Sequence, residues 1–256
     1  MHHIKRRSPA EPGSIAETLN MFESEVRFYR EIAPEVGVRV PACYVAESNA
    51  DGTLLELENL SDWAPGAEPA AGALVLRSLH EQWTGRAHVR WPWLRPLGAG
   101  EDLVAALYDR TWTALAARSD LSAPVRAAGE KLVGNVMEAD RAVVRAGALT
   151  MVHGDASAQH MRTGPDGEVA LLDWEDVSAA PGVLDLAWFL VSSVEPERWG
   201  EAVDAYGTSQ GLVEVMPSTM VQGYLSMSDH PDGSEAAAAW VARLEAAAGL
   251  LSAEAR

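Results

Sequence analysis

Two short apolar runs, ALTMV and VALL, each lead into an aspartate: Asp155 just after His153 and Gly154, and Asp173 just before Trp174. With the turn TGPDGE between them, the runs read as two strands of a β-hairpin. An acid placed just past a strand is exposed where the sheet stops, so the expectation is that both carboxylates converge on one cleft. Such a pair suits phosphoryl transfer. One acid accepts the proton of an attacking hydroxyl, and the other holds a divalent cation bridging the phosphates of a nucleotide. Taken singly, Asp155 reads as a loop cap and Asp173 as a turn residue, so the pairing carries the argument. His153, Asp155, His160 and Asp173 also offer a metal-ligand set, which leaves a metal-dependent hydrolase as a competing reading.

The flanking sequence predicts an α+β chain. Phe22, Val26, Tyr29 and Ala33 form a helical stripe, with Asn20 and Glu23 as a capping box. VRVPACYVAE and GTLLELENL predict two strands around the turn SNADG. The Pro/Gly/Ala-rich DWAPGAEPAAG then marks a boundary, dividing the chain into 1–62 and 63–256. Beyond it the pattern is helical, with Val75, Leu79 and Trp83 spaced by four and a longer helix from Ala123 to Arg145. After Val183 helices continue, with breaks expected at VMPSTM and SDHPDGS.

Charge and cysteine usage narrow the partners. A formal net charge of −17 argues against nucleic acid and anionic membrane, and it is compatible with a cationic small molecule. Cys43 is the single cysteine, which excludes an internal disulfide and a cysteine-based zinc site; it is expected to be a buried thiol. MHHIKRR is basic but no apolar segment follows it, and no run is expected to reach membrane-spanning length, so a cytoplasmic setting is the default expectation. Among 20 basic residues only Lys5 and Lys131 are lysine, which singles out Lys5 as a compact ammonium that a forked guanidinium cannot replace.

His153-Gly154-Asp155, then LLDWED, then PGVLDLAWFL, in that order, resemble the aminoglycoside phosphotransferase superfamily, which includes choline kinase-like and ecdysteroid kinase-like enzymes. FESEVRFYREIAPEVGVRVPACYVAE, LRSLHEQW and WPWLRPL are similar to the bacterial ecdysteroid kinase-like branch, and the likeness runs from about Lys5 to Trp199. The resemblance implies a bilobal protein-kinase-like fold: a small N-lobe in 1–62 and a helical C-lobe in 63–256 carrying the catalytic hairpin. It implies ATP-dependent transfer of a γ-phosphoryl group to a hydroxyl of a small molecule, with ATP and Mg2+ as cofactors. Asp155 matches the catalytic base and Asp173 the metal-binding aspartate. Lys5 matches the lysine that grips the α- and β-phosphates, with Glu25 as its ion-pair partner. Asp185 and His153 match scaffold residues of the catalytic loop. Leu54 to Leu60 matches the hinge, so the backbone at Glu56 and Leu57 is expected to receive the adenine ring.

Two departures accompany the likeness. His160 stands where the family usually has asparagine. Magnesium wants oxygen ligands, whereas imidazole suits Mn2+ and softer ions, so His160 binds such an ion, holds metal through water, or has no metal role. The second departure is that Met1 to Ile4 leave no room before Lys5 for the glycine-rich hairpin that covers the phosphates. An upstream start, a truncated N-terminal sheet, or a kinase-like binding module that no longer turns over nucleotide are the alternatives. The acceptor is left open, with its pocket expected near Trp174, Glu175 and the helices around Tyr108 and Trp112; Trp174 itself is expected in the core, and Glu175 is a candidate for meeting a polar or cationic acceptor.

Overall fold

The computed structural model describes residues 2–254. Its first part holds β1 (His2–Arg7), α1 (Ile15–Thr18), α2 (Met21–Arg27), β2 (Cys43–Asn49) and β3 (Gly52–Glu58). The strands form one antiparallel sheet in the order β1-β3-β2, with Lys5 and Ala46 both opposite Leu55.

Helix capping differs from the expectation. Ser14 caps α1 by accepting from the Glu17 N–H at 3.2 Å, while Asn20 adopts left-handed φ 51° between α1 and α2 and makes no side-chain cap bond. Past Arg27 the helix widens into a π turn over Phe28–Ile32. The wider turn rotates the inward face. Glu25 and Val26 are therefore buried together with Phe28, Tyr29 and Ile32, whereas Phe22 and Ala33 are only half-buried. β2 starts at Cys43 rather than Val38 because the Arg39 backbone is drawn to the second part, its carbonyl accepting from the Leu171 N–H at 2.9 Å, while its guanidinium stays with Glu58 of β3 at 2.6 Å. Cys43 is half-buried and donates to the Val45 carbonyl at 3.3 Å.

The second part runs through β4 (Ala64–Pro65), α3 (Pro69–Trp83), α4 (Ala87–Arg90), β5 (Arg95–Pro96), α5 (Glu101–Ala116), α6 (Ala123–Leu132) and α7 (Val136–Val143). β6 (Leu149–Val152), β7 (Met161–Thr163), β8 (Val169–Leu171) and β9 (Ser178–Pro181) follow. Last come α8 (Val183–Ser193), α9 (Trp199–Tyr206), α10 (Leu212–Ser228) and α11 (Glu235–Glu254). The helix expected from Ala123 to Arg145 breaks at Gly134, which takes φ 71° between α6 and α7. α10 instead runs unbroken through Pro217, because Val215, Met216 and Met220 beside it are fully buried and their packing outweighs one lost backbone bond.

The hairpin is not the expected one. β7 and β8 pair across the TGPDGE turn in a sheet β4-β7-β8, while β6 pairs with β9 in a separate sheet β5-β9-β6. Asp155 and Asp173 therefore follow strands of different sheets. Helix α8 is the hub of the core, buried almost throughout from Asp185 to Val191. Against the sequence expectation, α11 is long and apolar enough to cross a membrane by length and composition, from Glu235 to Ala253. Here its stripe Ala237, Trp240, Leu244 and Ala247 is buried in the core, beside α8 and α10.

Candidate active site

The loop after β6 is fixed by one buried acid. Asp185, 1% exposed, accepts from the backbone N–H of His153 at 2.7 Å and of Gly154 at 2.9 Å. His80 Nε2 adds a third donor at 3.0 Å, so His80 Nδ1 is an acceptor for the Tyr206 hydroxyl at 2.8 Å. Burial alone would push the Asp185 carboxyl up, but His80 and the backbone N–H groups hold it below the usual carboxylate range. His153, fully buried, donates through Nε2 to the Leu172 carbonyl at 2.7 Å and accepts at Nδ1 from the Asp155 N–H at 3.3 Å. Both ring nitrogens are committed to scaffold bonds, which removes His153 as a metal ligand and with it the four-residue hydrolase site.

Gly154 closes the loop onto the next one. Its φ is 87°, and a Cβ there would lie 2.3 Å from the Asp176 carbonyl oxygen. Gly154→Ala is expected to destabilise the fold by about 2 kcal/mol or more, from left-handed strain plus the clash. A urea-denaturation midpoint checks this.

Asp173 sits past β8 in left-handed conformation, φ 59°, which turns its carboxylate back towards β1. Lys5 Nζ lies 2.5 Å from Asp173 Oδ1, 2.7 Å from Glu25 Oε2 and 3.6 Å from Glu175 Oε2. Arg7 also reaches Glu175, at 2.5 Å. One ammonium thus stands among three carboxylates that lie within 4.8 Å of one another, so this cluster is filled by Lys5 rather than open to a metal. Burial pushes Glu25 up to about 7 despite Lys5, with Asp173 and Glu175 adding to the rise. Burial would also raise Asp173, but Lys5 and His160 hold it below the usual range.

The carboxylates of Asp155 and Asp173 meet at His160. His160 Nδ1 lies 3.0 Å from the Asp155 carbonyl and 3.3 Å from Asp155 Oδ2. Both are acceptors, so Nδ1 carries a proton. Nε2 faces Asp173 Oδ2 at 3.7 Å. An imidazole nitrogen and a carboxylate oxygen at this separation could serve as ligands to a divalent cation, and such a mixed N/O set would suit Mn2+ better than Mg2+.

The two acids line neighbouring cavities on either side of His160, where the sequence led one to expect a single cleft. Asp173, His160, Lys5 and Glu25 line a cavity of about 370 Å3 together with Leu57 and Leu60. Asp155 lines a second cavity, of about 430 Å3, with Gly154, Trp188 and Leu107. His160 stands between the two acids. The Glu56 side chain is turned by strand alternation away from the face of Leu55 and Leu57 and contacts His2. Leu57 and Glu58, the next residues of the strand, line the cleft.

Trp188 is a site residue that sequence reasoning missed. Its indole N–H donates to Asp155 Oδ1 at 2.6 Å. The signal was its place three residues after Asp185, on the same face of α8. The expected acceptor residues are differently employed. Trp174 lies in the core, fully buried and stacked on Phe28 at 4.0 Å, joining the loop after β8 to the π turn after α2. Glu175 faces Arg7 and Lys5. Tyr108 donates to the Gly129 carbonyl and Trp112 to Glu130 inside the helical core, while Val104 and Leu107 of the same helix line the second cavity.

This architecture has known counterparts. A choline kinase from Streptococcus pneumoniae superposes with a TM-score of 0.59 at 16% identity, covering 98% of this chain and 86% of that one. An aminoglycoside phosphotransferase from Alicyclobacillus acidocaldarius gives 0.55 at 15%, covering 98% and 85%. The AMP-bound complex of a spectinomycin phosphotransferase gives 0.57 at 13%, covering 96% and 86%. At these identities the likeness establishes the protein-kinase-like fold. No curated protein matches the sequence. The sequence profile of the phosphotransferase enzyme family, however, matches residues 9–226, and the chain belongs to that family.

Proposed function

We propose that this chain transfers the γ-phosphoryl group of ATP to a hydroxyl of a small molecule. The observation that carries the reading is the arrangement around His160: Asp155 on one side of the ring, and Asp173, gripped by Lys5, on the other. Lys5, held by Glu25, would position the nucleotide phosphates in the cleft, with the adenine ring against the segment from Leu57 to Leu60. Asp155 Oδ2 would take the proton of the acceptor hydroxyl as its oxygen bonds to the γ-phosphorus and the β,γ-bridging P–O bond breaks towards ADP. Asp173 and His160 would hold a divalent cation, Mg2+ or Mn2+, which neutralises phosphate charge when bound. Spectinomycin phosphotransferase and the pneumococcal choline kinase are each known in complex with AMP, which supports ATP as donor.

The interposed imidazole favours one other reading, a kinase-like module that binds nucleotide without transfer. Lys5→Met tests the shared premise. Without the ammonium, Glu25, Asp173 and Glu175 repel one another and the phosphates, so ATP affinity should fall at least tenfold. Isothermal titration with ATP reads this directly, and unchanged affinity would place the nucleotide elsewhere. ADP release during incubation with hydroxyl compounds then separates transfer from binding alone.

A further inference from the structure

One buried hydroxyl in the cleft of Lys5 stands without a partner. Tyr29, 3% exposed, lines that cavity, and its hydroxyl makes no hydrogen bond among the described residues. It lies four residues after Glu25, which lines the same cavity, and it sits on the π turn, an irregularity that recurs at functional sites. The ring is held edge-on against Phe28, with centroids 5.3 Å apart, and Phe28 in turn stacks on Trp174. Neighbouring polar groups are already engaged. Glu25 meets Lys5 at 2.7 Å, and Cys43 Sγ donates to the Val45 carbonyl at 3.3 Å.

A buried polar group left unpaired is destabilising, and such groups are few in a folded protein. This one opens on a cleft where a bound molecule supplies the missing partner. Burial first, then Glu25 and Cys43, push the hydroxyl well above its ordinary range, so it stays protonated. Strand register puts it beyond the phosphate grip. Lys5 lies opposite Leu55, whereas Cys43 lies opposite Leu57, two residues and about 7 Å further along the sheet. Tyr29 therefore stands on the side of Lys5 that leads to Leu57 and Leu60, where the base of a nucleotide would lie.

We propose that the Tyr29 hydroxyl pairs with the purine edge of the bound nucleotide and so selects a purine donor. The proposal rests on the phosphotransferase reading and specifies how its donor is recognised. A purine carries an N7 acceptor and a polar 6-substituent on one edge, and a hydroxyl both donates and accepts, so it suits either group. A pyrimidine has a single ring, and with its phosphates held at Lys5 it stops short of the back of the cleft. The hydroxyl has no partner in the unliganded fold, so it serves binding at the expense of stability.

The test compares the full wild-type chain with Tyr29→Phe, which keeps the ring and its contact with Phe28. Without nucleotide, the urea midpoint of the variant should equal or exceed that of the wild type, because no hydrogen bond is lost. Isothermal titration with ATP should show affinity lower by about fivefold or more, the loss of one hydrogen bond at a buried group. UTP, titrated by displacement of ATP, should bind both proteins alike. A lower midpoint in the variant would mean that a buried water already pairs the hydroxyl, and it overturns the proposal. Unchanged ATP affinity overturns it as well. An equal loss for UTP moves the contact to ribose or phosphate and overturns the purine assignment. Each of these results leaves the nucleotide site standing, whereas failure of the wild-type chain to bind ATP removes the phosphotransferase reading itself.

Discussion

Asp155→Ala should lower phosphoryl transfer by a factor on the order of 10^3 while ATP affinity stays within about twofold. The split follows from the geometry. Asp155 lines the cavity beyond His160 and not the cleft of Lys5, so its loss removes the proton acceptor without touching the phosphate grip. Its carboxylate is already oriented, with Oδ1 taking the Trp188 indole N–H at 2.6 Å and Oδ2, 3.3 Å from His160 Nδ1, keeping a second lone pair for the hydroxyl. Asp155→Asn keeps the shape and the Trp188 bond but cannot accept the proton, so it should fall nearly as far. Transfer at the parental rate in either variant, measured as product formation at saturating ATP, would remove the base role.

The second large effect is on folding. Asp185→Ala deletes the only carboxylate that meets the His153 and Gly154 N–H groups and the His80 ring among the described residues. Three buried donors would lose their partner, a cost of roughly 3–5 kcal/mol. The loop carrying Asp155 should loosen as well, so activity falls even where the variant remains folded. The pH dependence has a definite sign. Asp185 has its carboxyl depressed in the fold, so its contribution is fully present above the ordinary carboxylate value near 3.8 and is lost as pH falls below it. The stability gap between the wild type and Asp185→Ala should therefore narrow on acidification through that window. Denaturant midpoints at several pH values check both size and slope, and a gap independent of pH would show that Asp185 does not act as a buried anion.

Much of the site was legible in the sequence because its signals are local. His153-Gly154-Asp155, LLDWED and DLAWFL each fix a residue at a strand end or helix start, and the lysine scarcity singled out Lys5. What remained hidden depends on packing across distance. The pairing of β6 with β9 rather than β8 leaves no mark in strand composition, since all are short and buried. Asn20 looks like a cap, yet Ser14 caps α1 instead and Asn20 serves as the left-handed joint to α2. The π turn at Phe28–Ile32 shifts the buried face by a step that a regular helical period cannot show. The role of His160 as a bridge between two acids, and the separation of those acids into two cavities, emerge only when three loops are brought together.

The claim on which the rest depends is that Asp173 and Lys5 form a nucleotide site completed by a divalent cation. Isothermal titration of ATP into the wild type and Asp173→Asn, each with and without Mn2+, tests it most directly. The wild type should bind one ATP with an affinity that rises at least tenfold when Mn2+ is present, and Asp173→Asn should lose that metal dependence. Equal affinity with and without the cation in both proteins would contradict the account.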